Sequence, residues 1–427
     1  MYELVNRVVH ALKTITPAPV VTALRTPYHA LLTVAMAAYY GFPAHRLTVI
    51  GVTGTKGKST VVEMLFASFR AAGHKTALIS TIRFAINDVS EPNRYKMTLQ
   101  GRGFAQAFMQ RALAQGCTHL IIEVTSESTL QFRHWFLALD GLIVTNIERE
   151  HIESHGSFEN YVAAKRAIVR TLARSSKRRH VLVSNENVPE TKAFLNERGV
   201  SAIGFSEHEL KDIETTHRNV RFIYDDTAFS LPLPGVFNAM NALATIKMSE
   251  AFGVSREALV RALGELPSVR GRVEHIDAGQ NFLAVVDYAH TPESLKALYG
   301  AFEGRRKICV LGNTGGGRDT WKRPIMGQIA AENCDEVVLT NEDPYDEDPE
   351  AIIAEMAEGM GRAPTIILDR REAIRHALSR ANANDAVLIS GKGTDPFIMG
   401  PKGTKIHWSD AEVVRDELTR LLAGDAL

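Results

Sequence analysis

Gly51-Val-Thr-Gly-Thr-Lys-Gly-Lys-Ser-Thr60 follows a β-branched run, Leu47 to Val52, and opens an apolar-periodic segment that predicts a helix from Ser59 to Ala72. Strand, glycine-rich loop and helix in that order make an anion site. Glycines let backbone N–H groups approach phosphate oxygens, and the helix N-terminus adds positive potential. Lys58 is placed to reach the terminal phosphates, and the Ser59 hydroxyl to ligate Mg²⁺. The strict G-x-x-x-x-G-K-[ST] spacing is not met, because Val52 stands at the first glycine. The loop reads G-T-x-G-K-S from Gly54 to Ser59.

Outward from the loop, Thr76 to Ser80, His119 to Val124 and Gly141 to Thr145 are short apolar runs bounded by turn residues, as buried parallel strands are. Arg221 to Leu231 alternates and predicts antiparallel strands, and Phe237 to Phe252 predicts a helix. Beyond Val269-Arg270-Gly271-Arg272 the rhythm resumes at Phe282 to Val286, Lys307 to Leu311, Glu336 to Leu339, Thr365 to Leu368 and Ala386 to Ile389. The expected fold is α/β: a central P-loop domain with a mainly parallel sheet over 47–270 and a C-terminal Rossmann-like α/β domain over 271–427. A short helical leader, 1–46, precedes them, and a cleft between the domains is the expected site. Ala30 to Tyr40 predicts a buried helix, too short to cross a bilayer.

The 427 residues carry 49 Lys plus Arg against 49 Asp plus Glu. A net charge of zero removes the electrostatic case for nucleic acid or an anionic membrane as partner. Cys117, Cys309 and Cys334 lie far apart with no C-x-x-C pair, so no disulfide framework or thiolate zinc site is expected. The amphipathic start, Met1 to Leu12, carries Glu3, Arg7 and His10, which argues against a signal peptide. A cytoplasmic protein without membrane insertion, a monomer or weak oligomer, is expected.

T-G-T-x-G-K-[ST] resembles the nucleotide loop of the Mur ligases and the related folylpolyglutamate synthetases. The resemblance extends along the chain. Leu142-Ile-Val-Thr-Asn-Ile-Glu-Arg-Glu-His151 is similar to a T-N-x-x-x-D-H segment, with Glu150 in place of Asp. His155-Gly-Ser-Phe-Glu-Asn-Tyr161, Ala163-Ala-Lys165, Leu233-Pro-Gly-Val-Phe-Asn238 with Asn241-Ala, and Gly271-Arg272-Val-Glu274 resemble the muramyl-tripeptide synthetase branch. So do Asp287-Tyr-Ala-His-Thr-Pro292, Gly317-Arg-Asp319 with Lys322-Arg-Pro324, and Gly391-Lys-Gly393. The order and spacing of these blocks, more than any one of them, identify the chain as a member of that family.

The resemblance implies an ATP-dependent ligase that activates a carboxylate as an acyl phosphate and couples it to an amine. It implies a nucleotide site at Gly54, Thr55, Lys56, Gly57, Lys58, Ser59 and Thr60, with Asn146, Asn238, Asn241, Arg272, Asp287 and His290. Two Mg²⁺ ions are implied, with Ser59, Glu123, His151 and Lys165 as their ligands or supports; neutralising a polyphosphate and an attacking carboxylate is most of phosphoryl-transfer catalysis. Lys165 is implied to carry a carbamate derived from CO₂, which turns a repelled cation into an anion; burial favours the neutral amine that reacts. Lys58, Lys165, Glu123, His151 and Arg272 are the implied catalytic set, with Arg272 swinging onto the phosphates as the last domain closes. A zinc reading of His151 and His155 lacks the Glu that a zincin needs after its first His.

Candidate substrate residues are Thr98, Thr125, Ser126, Arg318, Lys322, Asp343, Tyr345, Lys392 and Asp395. The branch that adds diaminopimelate carries D-N-P-R where Glu342-Asp-Pro-Tyr345 stands, and His-Glu where Thr394-Asp395 stands. That disfavours diaminopimelate, and Asp343, Asp346 and Asp395 suit a cationic side chain such as lysine. Glu127 replaces a His expected to help hold the muramyl peptide, and the usual N-terminal uridine-diphosphate domain is expected to be missing or reduced. The expected partners are a peptide donor and an amino-acid acceptor. The alternatives are a polyglutamate-type ligase, which the Asp287 to Pro292 and Lys322 to Pro324 blocks disfavour, and a non-catalytic nucleotide-binding regulator on the same fold.

Overall fold

The computed structural model describes residues 18–95, 97–101, 103–150 and 155–424. Its contacts divide the chain into two compact units. One comprises the chain up to Glu148, Ser157–Ser206 and Ala244–Leu259; the other comprises Arg149–Gly156, Glu207–Leu243 and Val260 onward. The division therefore falls within the expected 47–270 segment.

The first unit is built on eight strands, β1 (Thr48–Thr53), β2 (Thr76–Ile79), β3 (Arg83–Ile86), β4 (Val89–Pro92), β5 (His119–Glu123), β6 (Gly141–Val144), β7 (Val181–Asn185) and β8 (Ser201–Phe205). Their order is β4-β3-β2-β5-β1-β6-β7-β8. All pairs are parallel except β2–β3 and β3–β4. Strands β1, β5 and β6 are buried nearly throughout, which explains their unbroken apolar sequence: helices cover both faces of such a sheet. Val49, Leu120, Ile122 and Leu142 pack with Phe108, Met109 and Leu172 in one core. The register matters for chemistry. Val52 at the end of β1 lies beside Glu123 at the end of β5, so the acid emerges next to the glycine-rich loop.

The second unit contains a meander, β9 (Lys211–Thr215), β10 (Val220–Tyr224) and β11 (Thr227–Leu231), antiparallel as the alternation predicts. Its main sheet comprises β12 (Glu274–Ile276), β13 (Leu283–Val286), β14 (Lys307–Leu311), β15 (Glu336–Leu339), β16 (Thr365–Ile366) and β17 (Ala386–Ile389), ordered β12-β13-β17-β14-β15-β16. Only the β12–β13 pair is antiparallel. A two-stranded ribbon of β18 (Phe397–Met399) and β19 (Lys405–His407) follows.

Two expectations are corrected. Cys309 and Cys334 form a disulfide: β14 and β15 are adjacent parallel strands, and Cys334 ends the helix that connects them. Sequence spacing does not reveal that proximity. The Ala30 to Tyr40 stretch is helical, within Ala18–Tyr39, but it is not buried. Ala37 is covered, whereas Leu31, Val34 and Tyr39 are exposed. Among the described residues no helix is long and apolar enough to cross a membrane.

Burial lowers the His134 and His119 pKa values to about 4, the latter with help from the neighbouring His74 ring. Both are neutral when folded and protonate in the unfolded chain at the ordinary 6.5. Their stabilisation is complete above that value and is lost as pH falls towards 4. Urea unfolding of the protein at pH 7 and pH 5 should show His134 alone removing about 2 kcal/mol at the lower pH. An equal midpoint at both pH values would show these rings to be solvated.

Candidate active site

The loop between β1 and the helix Lys58–Ala71 places its glycines where side chains cannot go. Gly54 has φ 147° and Gly57 φ 80°. A Cβ on Gly54 would stand 1.9 Å from Thr145 Oγ1. The loop is held from behind. Asn146 Oδ1 accepts from the Thr55 and Lys56 backbone N–H groups at 3.1 and 2.8 Å, and Thr145 Oγ1 donates to Lys56 O at 2.6 Å. Lys58 Nζ donates back to Thr55 O at 2.8 Å. Thr60 is buried in the helix's first turn. Asn146, read from the sequence as a nucleotide contact, thus shapes the loop.

Glu123, 2% exposed, is the acid beside this loop. Its Oε2 accepts from Ser59 Oγ at 3.1 Å and from Thr81 N at 3.0 Å. Thr81 Oγ1 lies 2.6 Å from Thr98 Oγ1, which joins the candidate substrate residue Thr98 to the same cluster. Thr125 and Ser126 follow β5 directly and cap the short turn Glu127–Leu130 through their carbonyl groups. A hydroxyl and a carboxylate are hard oxygen donors of the kind Mg²⁺ takes, so Ser59 and Glu123 fit one such ion. Among the described residues no three His, Cys, Asp or Glu side chains converge on a metal position. His151 lies outside the described residues.

Lys165 is 1% exposed on the helix Phe158–Ala173, which Ser157 caps by accepting from Asn160 N. Its Nζ donates to Gly54 O at 2.8 Å and stands 4.6 Å from the centre of the Tyr161 ring. The Tyr161 hydroxyl is 2.9 Å from Thr55 Oγ1, which in turn accepts from Glu148 N at 2.9 Å. Tyr161, Thr145 and Thr81 were not singled out from the sequence. Tyr161 had a signal, since it lies one helical turn before Lys165 and so shares its face. His155 is buried just before this helix.

The second unit assembles its own group. Arg272 stacks on the Tyr288 ring at 4.6 Å and donates to Gly271 O. Asp287 accepts from Val273 N and Ala289 N, both at 2.7 Å. His290 bonds through Nδ1 to Tyr288 O and through Nε2 to Glu150 at 2.8 Å. Thr291 and Ser294 form a capping box under Pro292. Asn238 donates to Pro234 O at 2.7 Å, and Asn241 to Asn238 Oδ1 at 3.3 Å. Each of these thus has a positioning bond within the unit.

Beyond the C-terminal ends of β15 and β17, buried Lys392 donates to Asp343 at 2.9 Å, Asp395 at 3.2 Å and Phe397 O at 2.6 Å. Asp346 accepts from the Lys402 N–H. The acids read as counter-charges for a cationic acceptor therefore already face donors of the chain. Burial pushes the Glu342 carboxyl up, against the pull of Arg370 and Lys392. Exposed Arg318 lies over the Tyr345 ring at 4.9 Å, while Lys322 is buried at the start of the helix Lys322–Asn333.

A glycine-rich loop between a buried strand and a helix N-terminus, with a hydroxyl and a buried acid beside it, is the kind of site that nucleotide-dependent group-transfer enzymes use. The Mur ligase middle domain matches residues 52–249, and the glutamate ligase domain of Mur ligases matches residues 271–393. The chain belongs to the Mur ligase family. It is 35% identical over 435 residues to a UDP-N-acetylmuramyl-tripeptide synthetase of Roseiflexus sp. (strain RS-1), covering 95% of this chain and 85% of that protein. It is 33% identical over 396 residues to a UDP-N-acetylmuramoyl-L-alanyl-D-glutamate–2,6-diaminopimelate ligase of Bacteroides fragilis, covering 90% and 80%. Among solved structures, a folylpolyglutamate synthase of Mycobacterium tuberculosis complexed with ADP superposes with TM-score 0.69 at 19% identity, covering 98% of each chain; this likeness is one of fold.

Gly54→Ala should abolish nucleotide binding in calorimetric titration while circular dichroism stays unchanged, because the added Cβ meets Thr145. Retained affinity would show that the loop relaxes without that contact.

Proposed function

We propose that this chain is an ATP-dependent ligase of peptidoglycan precursor assembly, which phosphorylates the carboxylate of a muramyl peptide and joins it to an amino acid. The observation that supports this most is the Ser59–Glu123 contact at the mouth of the loop. A hydroxyl and a buried acid meet there, an arrangement suited to a divalent cation between triphosphate and acid. Mg²⁺ bound there supplies charge neutralisation for two anions that otherwise repel.

The residues then have distinct tasks. The 54–59 backbone and Lys58 hold the phosphates as the donor carboxylate oxygen attacks the γ-phosphorus and the bond to ADP breaks. The acceptor's amine attacks the acyl carbon, the tetrahedral intermediate expels phosphate, and the amine's proton leaves to water. Thr81 N–H and Ser59 orient Glu123, so its carboxylate does not need to reorganise during the reaction.

Lys165 sits buried behind the loop, with its Nζ at the Gly54 carbonyl and over the Tyr161 ring. Reaction of its neutral amine with CO₂ forms a carbamate and releases a proton, which gives the second cation position an anionic support. His151 completes that position in this reading. On the acceptor side, Arg318 on its Tyr345 platform presents a planar fork suited to the amino acid's carboxylate. This takes over the task of the arginine that the sequence lacks at Tyr345. Lys392 acts from within, by fixing Asp343 and Asp395.

Phosphate release from ATP should require both a muramyl dipeptide donor and one particular amino acid; ATP turnover indifferent to every amine would contradict the ligase. Lys165→Ala should lower turnover by roughly a hundredfold or more. Short carboxylic acids should partly restore it. Full activity of Lys165→Ala would remove the carbamate from the account.

A further inference from the structure

The acids that the sequence offers to a cationic acceptor stand near the loops after β14 and β15, and their partners decide what those loops can hold. An isolated parallel bridge joins Thr314 to Asp343, and Gly315 N donates to Asp343 O at 2.8 Å. A Cβ on Gly315 would stand 2.3 Å from Pro344 O, so the segment leading to Arg318 runs close beside the one leading to Tyr345. Tyr345 has φ 54°, and its N–H donates to Met399 O at 3.1 Å. The Arg318 guanidinium rests over its ring. A left-handed non-glycine residue persists where its surroundings over-determine it, and such residues collect at ligand sites.

Buried Lys392 directs its ammonium protons into the chain, to Asp343, Asp395 and Phe397 O, which uses all that an ammonium has. Asp343 also accepts from Met399 N at 2.7 Å. A substrate ammonium seeking Asp343 or Asp395 would therefore stand beside Lys392, and like charges repel strongly where water is excluded. Glu342 is no substitute: burial favours its neutral form, and Thr314 Oγ1 donates to its Oε1 at 2.8 Å. Asp346 is exposed, where water screens its charge, and accepts from Lys402 N. The buried acids here are thus already neutralised. Beyond Arg318 the chain instead presents apolar surface. Trp321 caps the helix Lys322–Asn333 and is 42% exposed, and Ile325, four residues on and so on the same face, is exposed too.

We propose that the acceptor is an amino acid with a neutral, apolar side chain, which lies against Trp321 while its carboxylate meets Arg318. This rests on the ligase reading given above, and it replaces the cationic side chain that the acids alone suggest. Lys392 sets this specificity from within, as a positioning residue: it takes up the counter-charges that a lysine or diaminopimelate side chain would need. A site rejects a group most strongly when binding it leaves a charge without a partner, and here a second ammonium would do so. An apolar side chain asks nothing of Asp343 or Asp395 and gains from covering the indole.

The test reads phosphate release by the full-length protein with ATP and a muramoyl dipeptide donor, with and without UDP. The acceptors are alanine, valine, leucine, lysine, ornithine, diaminopimelate and glutamate. The best apolar amino acid should exceed each charged one in kcat/KM by at least about tenfold. Trp321→Ala, a change at an exposed position, should raise the KM for that amino acid about fivefold or more while the KM for ATP and donor stays within about twofold. Lys392→Met, its fold checked by circular dichroism, should gain turnover with lysine, whose ammonium replaces the one removed. If that variant does not fold, the acceptor comparison and Trp321→Ala decide. A charged amino acid as the best acceptor overturns the proposal and leaves the ligase standing. An unchanged acceptor KM in Trp321→Ala overturns the contact with the indole, and a folded Lys392→Met that still rejects lysine overturns the role of Lys392. No release with any acceptor defeats the ligase reading itself.

Discussion

The hydrogen bonds that Asn146, Thr145 and Lys165 make to the back of the 54–57 loop are the constraint on which the site depends. A loop that turns its N–H groups towards phosphate has few bonds left to define its own shape, and its glycines bring no side chains to pack. Asn146 Oδ1 and Thr145 Oγ1 from the end of β6 therefore fix it on one side, and Lys165 at Gly54 O on another. Tyr161 links these supports through Thr55. Loop shape, lysine position and the start of the 148–150 segment are thus one coupled arrangement, not three separate features.

The parallel sheet supplies the rest. Because β1 and β5 are neighbours in register, Val52 beside Glu123, the acid arrives at the loop without any flexible connection. Buried strands on both sides leave it little freedom. Ser59, in the first turn of the following helix, meets it at hydrogen-bond distance. The proposed metal position would thus be set by the fold's core, with its acid at a strand end and its hydroxyl at a helix start.

Much of this was legible in the sequence. The runs at Lys307 to Leu311, Glu336 to Leu339 and Ala386 to Ile389 are the strands β14, β15 and β17 as read, because strands buried on both faces leave a continuous apolar signature. Exposed or edge strands leave a weaker one: β4 is exposed throughout and β9 nearly so, and neither was anticipated. The helix around Ala30 was read as buried from its apolar content, but content does not reveal which face finds a partner. The loop followed from its glycine and lysine pattern and Glu123 from its place at a strand end, whereas Lys165 was singled out only by the resemblance to the Mur ligases. The Tyr161 link, the Arg318 stack on Tyr345 and the Cys309–Cys334 bridge did not, since each joins residues through tertiary neighbours that no local pattern encodes. The acids at 343 and 395 and Lys392 were all named as substrate residues, but that Lys392 is buried and bonded to both acids was not legible.

The central claim is chemical: the donor carboxylate is activated by taking the terminal phosphoryl group of ATP before the amine attacks. The most direct measurement supplies a donor labelled with ¹⁸O in the reacting carboxylate and reads the released phosphate by mass spectrometry. An acyl phosphate predicts one labelled oxygen in each phosphate formed in step with the amide. Phosphate released without label while amide accumulates would contradict the account.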